Sequence, residues 1–171
     1  MSDLKLNKMI IKNFKSFVGE HIFELDRGGK LIYMTGDNQL YPELGTNGVG
    51  KTTLWDALVW VLWNKTEKDR QPADAVEPWD FENADCSVAL YFTRLGPERI
   101  LTRTRNPNRL TISKNATVKD IPQNDVVGIL GMSEEVFRRS VVLGQSGKLF
   151  LDLKPGSNRK CSMKLSLLRS I

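Results

Sequence analysis

A chain of 171 residues has room for one domain and one core. At 40% hydrophobic and 26% charged, with a mean hydropathy of −0.32, it is too apolar for a disordered chain. Its longest apolar stretch, 57–63, is far short of the roughly 20 residues that a membrane-spanning helix needs. No apolar run follows Met1 closely enough to read as a secretory signal, and Cys86 and Cys161 form neither a disulfide framework nor a metal spacing, so a reducing, cytoplasmic setting is expected. A single histidine, His21, excludes a multi-histidine zinc site, and in its strand it reads as structural. The 25 basic residues against 20 acidic ones, a net +5 with a pI near 9.3, lean toward a polyanionic partner.

In chain order, residues 6–14 and 20–25 read as strands around a polar turn at 15–19. Arg27-Gly28-Gly29 is a turn signal, and 30–35 is a short apolar run of the buried-strand kind, closed by Gly36. A glycine-rich loop follows, then a helix from Lys51 to about Trp63. Leu54, Ala57, Leu58, Val61 and Leu62 fall at helical spacing, and Trp55, Val59, Trp60 and Trp63 fill most of the remaining surface. A helix so apolar all round is buried on several sides, and its tryptophans read as core. Residues 66–83 read as a loop. Stretches 87–92, 99–104 and 109–113 read as consecutive antiparallel strands with turns at Gly96-Pro97 and Asn106-Pro107-Asn108. Two short helices are expected at 124–130 and 133–139, the second capped by Ser133, with a short strand at 141–143 leading into Gly144-Gln145-Ser146-Gly147.

Gly45-Thr46-Asn47-Gly48-Val49-Gly50-Lys51-Thr52 satisfies G-x-x-x-x-G-K-[ST] at every fixed position. Glycines let the backbone wind closely around a phosphate and aim successive N–H groups at it, and the helix that follows adds its partial positive charge. Lys51 is the point charge for the β- and γ-phosphates, and the Thr52 hydroxyl is a hard oxygen ligand for Mg²⁺. ATP with Mg²⁺ is the expected ligand. Asp37 to Leu44 separate the apolar run from the loop and read as a surface insertion.

Hydrolysis also needs an acidic residue at the end of a buried strand. The nearest candidate, Leu149-Phe150-Leu151-Asp152, has only three apolar residues and sits too close behind the Gln145 loop to be a separate central strand, and no Leu-Ser-Gly-Gly-type signature is present.

Residues Lys12-Asn13-Phe14-Lys15-Ser16-Phe17, the run 30–35, Thr46 to Leu54, Asp56-Ala57-Leu58 and Phe137 to Gln145 together resemble the N-terminal ATPase half of the SbcC-type DNA-repair ATPases, SMC-like relatives of the ABC ATPases. The resemblance covers about residues 4–156, and the insertion and short length look like bacteriophage versions. It implies an α/β P-loop NTPase fold, an ABC/SMC-type head lobe in which an antiparallel β layer packs on the helix behind the phosphate loop. In that family the missing acidic strand and signature motif belong to the C-terminal half, so the lobe is expected to be the N-terminal half only, 1–155, with its phosphate loop at 45–53 and a glutamine loop near 145. Carried over, Gly45, Asn47, Gly48, Gly50, Lys51, Thr52 and Thr53 look like the phosphate loop, and Gln145 like the glutamine that senses Mg²⁺ and water. Lys15 stands where the family often has an arginine near the phosphates. Implied partners are an SbcD-type nuclease subunit, the C-terminal half of its own head, a second copy joined through ATP, and double-stranded DNA, with no membrane. The implied setting is the cytoplasm of a bacterium or of a phage-infected cell.

The tail, 156–171, departs from the family: it carries Arg159, Lys160, Lys164 and Arg169 and no acid. Codons permitted for Cys161-Ser162-Met163-Lys164-Leu165 can read Met-Phe-Asn-Glu-Ala in another frame, closer to the family helix, so a truncated or frameshifted product is expected. Arg99, Arg103 and Arg105 share strand parity, so they can line one sheet face, either as DNA-phosphate contacts or as an ordinary solvated face. Three functions stay open at this point: an ATPase lobe working with a nuclease on DNA ends, a nucleotide- and DNA-binding module without turnover of its own, and a self-contained small P-loop kinase or GTPase.

Overall fold

The computed structural model describes residues 4–30, 33–36, 42–44, 50–66, 76, 78 and 85–141. The described residues form six strands, β1 (Lys5–Phe14), β2 (Phe17–Glu24), β3 (Ser87–Thr93), β4 (Glu98–Thr104), β5 (Arg109–Lys114) and β6 (Thr117–Asp120). They make one antiparallel sheet in the order β2-β1-β3-β4-β5-β6. Among the described residues three helices accompany it, α1 (Lys51–Trp63), α2 (Asp125–Leu130) and α3 (Glu134–Ser140), with a 3-10 turn at Pro42–Leu44.

The alternation along the strands decides which face is covered. Met9 pairs across to Leu90, Leu90 to Leu101 and Leu101 to Ile112, while Ile11 pairs to Val88, Val88 to Arg103 and Arg103 to Leu110. These rows share one side of the pleat, and α1 packs against them through β1, β3 and β4. Most of these side chains are fully buried, as are Leu54, Ala57, Leu58, Val59, Trp60, Val61 and Leu62 of the helix. Phe137 of α3 stacks on Trp63 with ring centroids 4.7 Å apart, and Val126 and Leu130 of α2 join the same core. The all-round apolar character of α1 is thereby explained: sheet on one flank, short helices on another. Trp55 is the exception, 40% exposed.

Ser133 caps α3 as its residue type implies, its Oγ accepting from the Val136 N–H, with Glu134 and Glu135 in the first turn and Arg138 and Arg139 in the last. α2 stops at Gly131, whose φ of 72° is the left-handed conformation that lets the chain turn away.

Three local expectations need revision. The run 30–35 is not a buried strand in its described part: residues 33–36 pair with no strand, and Tyr33 is 88% exposed. An apolar run becomes a strand only where its N–H and C=O groups meet a ladder partner, and among the described residues no strand pairs with 33–36. The polar turn after β1 is only Lys15-Ser16, so β2 starts at Phe17. β6 was not anticipated. Val141 lies in a turn after α3 rather than in a strand, and residues 142–143 lie outside the described residues.

Candidate functional site

The candidate site forms where the β1–β2 turn meets the start of α1. Gly50 is the residue before the helix and has φ 85°, a left-handed conformation that glycine adopts without steric cost. A Cβ at Gly50 would stand 3.0 Å from Ser16 Oγ and 3.3 Å from the Phe17 ring, so a side chain there would be tightly crowded by the turn. Among the described residues, no side chain caps α1 and no acid stands in its first turn. The helix start therefore keeps its partial positive charge for an external anion. Thr52 is exposed and Thr53 half-buried at this end. This set, a backbone that needs glycine, an uncapped helix start, a lysine and two hydroxyls, fits a polyphosphate with a bound Mg²⁺.

Lys15 and Ser16 clamp the turn to the helix. The Lys15 Nζ lies 2.7 Å from Asp56 Oδ2, and Ser16 Oγ donates to Thr53 Oγ1 at 3.0 Å. The Lys15 backbone N–H donates to the Val76 carbonyl at 2.7 Å. Lys15, Gly50, Lys51, Thr52 and Thr53 thus lie around one end of one helix. Gly45, Asn47, Gly48 and Gln145 lie outside the described residues, as does Asp152. Sequence reasoning passed over Asp56 and Ser16 as members of this corner. A signal for Asp56 was available: it is the only acid of α1 and lies among the apolar residues that follow Thr53, and a carboxylate so placed needs a partner.

The arginine expectation is corrected by the sheet's facing. Arg103 is 4% exposed and points beneath α1, not into solvent. Its Nε donates to the Val61 carbonyl at 3.2 Å and its Nη2 to Gln123 Oε1 at 2.5 Å, while Gln123 donates in turn to the Leu62 carbonyl. Burial lowers its pKa to about 10, so it remains charged at neutral pH and faces the negative end of the helix. Parity put Arg99 and Arg103 on one face correctly, but that face is the one carrying Leu101 and α1. Arg105 is outside the strand, half-buried in the turn, its N–H donating to the Cys86 carbonyl. The three do not form a solvent-facing phosphate row.

The remaining singled-out residues are structural. His21 Nε2 lies 2.8 Å from the Val18 carbonyl and its ring packs on Phe17, and Cys86 is buried at the start of β3. No group of three or more metal-ligating side chains occurs among the described residues, and no described helix is long and apolar enough to cross a membrane.

Comparison with known proteins bears on the same corner. A family model described as an AAA domain matches residues 8–155. The chain is also similar to exonuclease subunit 2 of Enterobacteria phage T4, 27% identical over 170 residues, covering 94% of this chain. It spans 28% of that relative's length.

Proposed function

Because the chain belongs to the AAA domain family, in its SbcC-like, SMC-related branch, we propose that it is the ATP-binding lobe of a DNA-processing ATPase that acts with a nuclease subunit on DNA ends. The observation that carries this is the junction at Gly50: a complete phosphate-loop pattern runs into a helix whose start has no side-chain cap and whose preceding glycine is packed against Ser16 and Phe17.

In this proposal Gly45, Asn47, Gly48 and Gly50 shape the backbone cradle, and Lys51 neutralises the β- and γ-phosphate oxygens. Thr52 and Gln145 would hold Mg²⁺, which when bound would supply positive charge to offset that of the phosphates. Thr53 extends the hydroxyl set, and Lys15 supplies a further cation. The lobe spans 1–155, and 156–171 is an atypical basic tail. The acid that activates the attacking water comes from a C-terminal half of the head, and ATP joins two heads, their closure gating access of duplex DNA to the nuclease. The setting is the cytoplasm of a bacterium or a phage-infected cell. Support for the nuclease partner comes from the relative, whose name makes it an exonuclease subunit.

A turnover assay tests this division of labour. The 171-residue chain is expected to bind Mg·ATP with no appreciable phosphate release, and to gain hydrolysis when a C-terminal head half is supplied. In that assembly Gln145→Ala should lower kcat more than affinity. Robust hydrolysis by the chain alone would contradict it.

A further inference from the structure

Asp56 is the only ionisable residue of α1 beyond Lys51, and it is 7% exposed among Leu54, Ala57 and Leu58. A carboxylate buried on an apolar helix is costly unless a cation and hydrogen bonds satisfy it. Its cation comes from 41 residues away, Lys15, at 2.7 Å. Lys15 itself adopts φ 49°, the positive φ that a two-residue hairpin turn between β1 and β2 requires of its first residue. Around this turn stand the Val76 carbonyl on the Lys15 N–H, the Ser16–Thr53 hydrogen bond beside it, and Asp56 on its ammonium.

Geometry places this pair beside the phosphate end of the helix. Thr52 and Asp56 are four residues apart, hence on the same flank and about 6 Å apart along the axis. An ammonium has three N–H donors and Asp56 is shown taking one, while the Lys15 side chain stays 29% exposed. Among the described residues Asp56 is the one acceptor of this ammonium, which leaves it donors to offer an anion at the first turn.

We propose that Asp56 is a positioning residue: it holds the Lys15 ammonium beside the Thr52 flank of α1 as a second cation for the nucleotide's phosphates, and it acts on nucleotide affinity through Lys15. This rests on the nucleotide reading above. The sign of the effect separates it from plain electrostatics. A negative charge near the site repels phosphate, so its removal on electrostatic grounds alone would tighten binding. As a positioning residue, its removal weakens binding.

The test is calorimetric titration of the 171-residue chain with Mg·ATP, with a melting curve for each variant. Lys15→Met and Asp56→Asn should each weaken ATP binding about tenfold, the effect of one charge-assisted hydrogen bond. The double variant should be no weaker than Lys15→Met alone, and Lys15→Arg should stay near the parent. Should Asp56→Asn unfold at the assay temperature, Asp56→Glu carries the same test: it keeps the charge and lengthens the arm, so weaker binding supports the role and unchanged affinity overturns it. Asp56→Asn binding ATP as tightly as the parent or tighter, or losses that multiply in the double variant, overturns it. A parent that binds ATP and loses it on Lys51→Ala leaves the Asp56 series alone to decide. A parent that binds no ATP overturns the nucleotide reading and the positioning role together.

Discussion

The Arg103 guanidinium donates to the Val61 carbonyl at 3.2 Å, tying the middle of the sheet to the last turn of the helix whose first turn follows Gly50. With Gln123 bridging to Leu62, it satisfies carbonyls near a helix end that is buried rather than hydrated. Its ring-face neighbour is Trp60, 5.9 Å away. The charge therefore fixes how α1 lies on the sheet.

Arg103→Ala should destabilise the fold by about 2–3 kcal/mol, since Val61 and Gln123 lose a charged donor inside the protein. Chemical denaturation of parent and variant measures it. A difference within ~0.5 kcal/mol, the range of ordinary surface substitutions, would contradict this role.

The same burial separates Arg103 from DNA. If duplex DNA binds the assembled protein, each phosphate contact contributes about 0.9 to the slope of log K against log salt. At salt concentrations where the variant stays folded, Arg103→Ala should leave that slope unchanged. A slope flattened by a full contact would mean that the guanidinium reaches phosphate.

Gly50→Ala is expected to impair nucleotide binding more than its single methyl suggests. The left-handed φ costs about 1–2 kcal/mol for an alanine, and the Cβ also meets Ser16 Oγ and the Phe17 ring. Relief requires the Ser16 hydroxyl and the Phe17 ring, or the helix start, to give by a few tenths of an ångström beside the site. Calorimetry with Mg·ATP should show the loss, and parent-like affinity would show that the junction is not a rigid wall of the site.

Acid should weaken the fold in part through two surface carboxylates. A hydrogen bond from Lys5, then one from the Gly28 N–H, holds Asp26 below its ordinary 3.8, and hydrogen bonds from Arg109 do the same for Asp120. With folded pKa values below the unfolded ones, the unfolded chain binds more protons in this window. Their contribution is present above the unfolded pKa and disappears as pH falls through the folded one. Asp26→Asn with Asp120→Asn should therefore lower Tm at neutral pH and flatten its fall below pH 3.8. Parallel Tm curves for parent and variant would contradict this.

Much of this arrangement was legible in the residues. The helix 51–63 stands out because its apolar spacing is continuous, and β3 to β5 because β-branched and aromatic residues alternate between turn signals. β6 was not legible: Thr117, Val118, Lys119 and Asp120 are all exposed, and only pairing with β5 makes them a strand. Tyr33 shows the opposite error: its run reads as a buried strand, and it is exposed and, among the described residues, paired with no strand. For Arg103, parity was readable but the sign of the face was not, because it depends on where the end of α1 lands. Lys15 and Asp56 are joined only by the folding of β1 onto α1, a contact that local spacing does not encode.

The most direct test of the nucleotide site is an isothermal titration of Mg·ATP into the 171-residue chain and its Lys51→Ala variant, with melting curves to confirm that both are folded. Lys51 is exposed at the helix start, so its truncation should leave the core intact. The parent should bind one nucleotide per chain and the variant should lose at least tenfold in affinity. Equal affinity in the two folded proteins, or no binding by the folded parent, would contradict the assignment of residues 45–53 as a phosphate cradle.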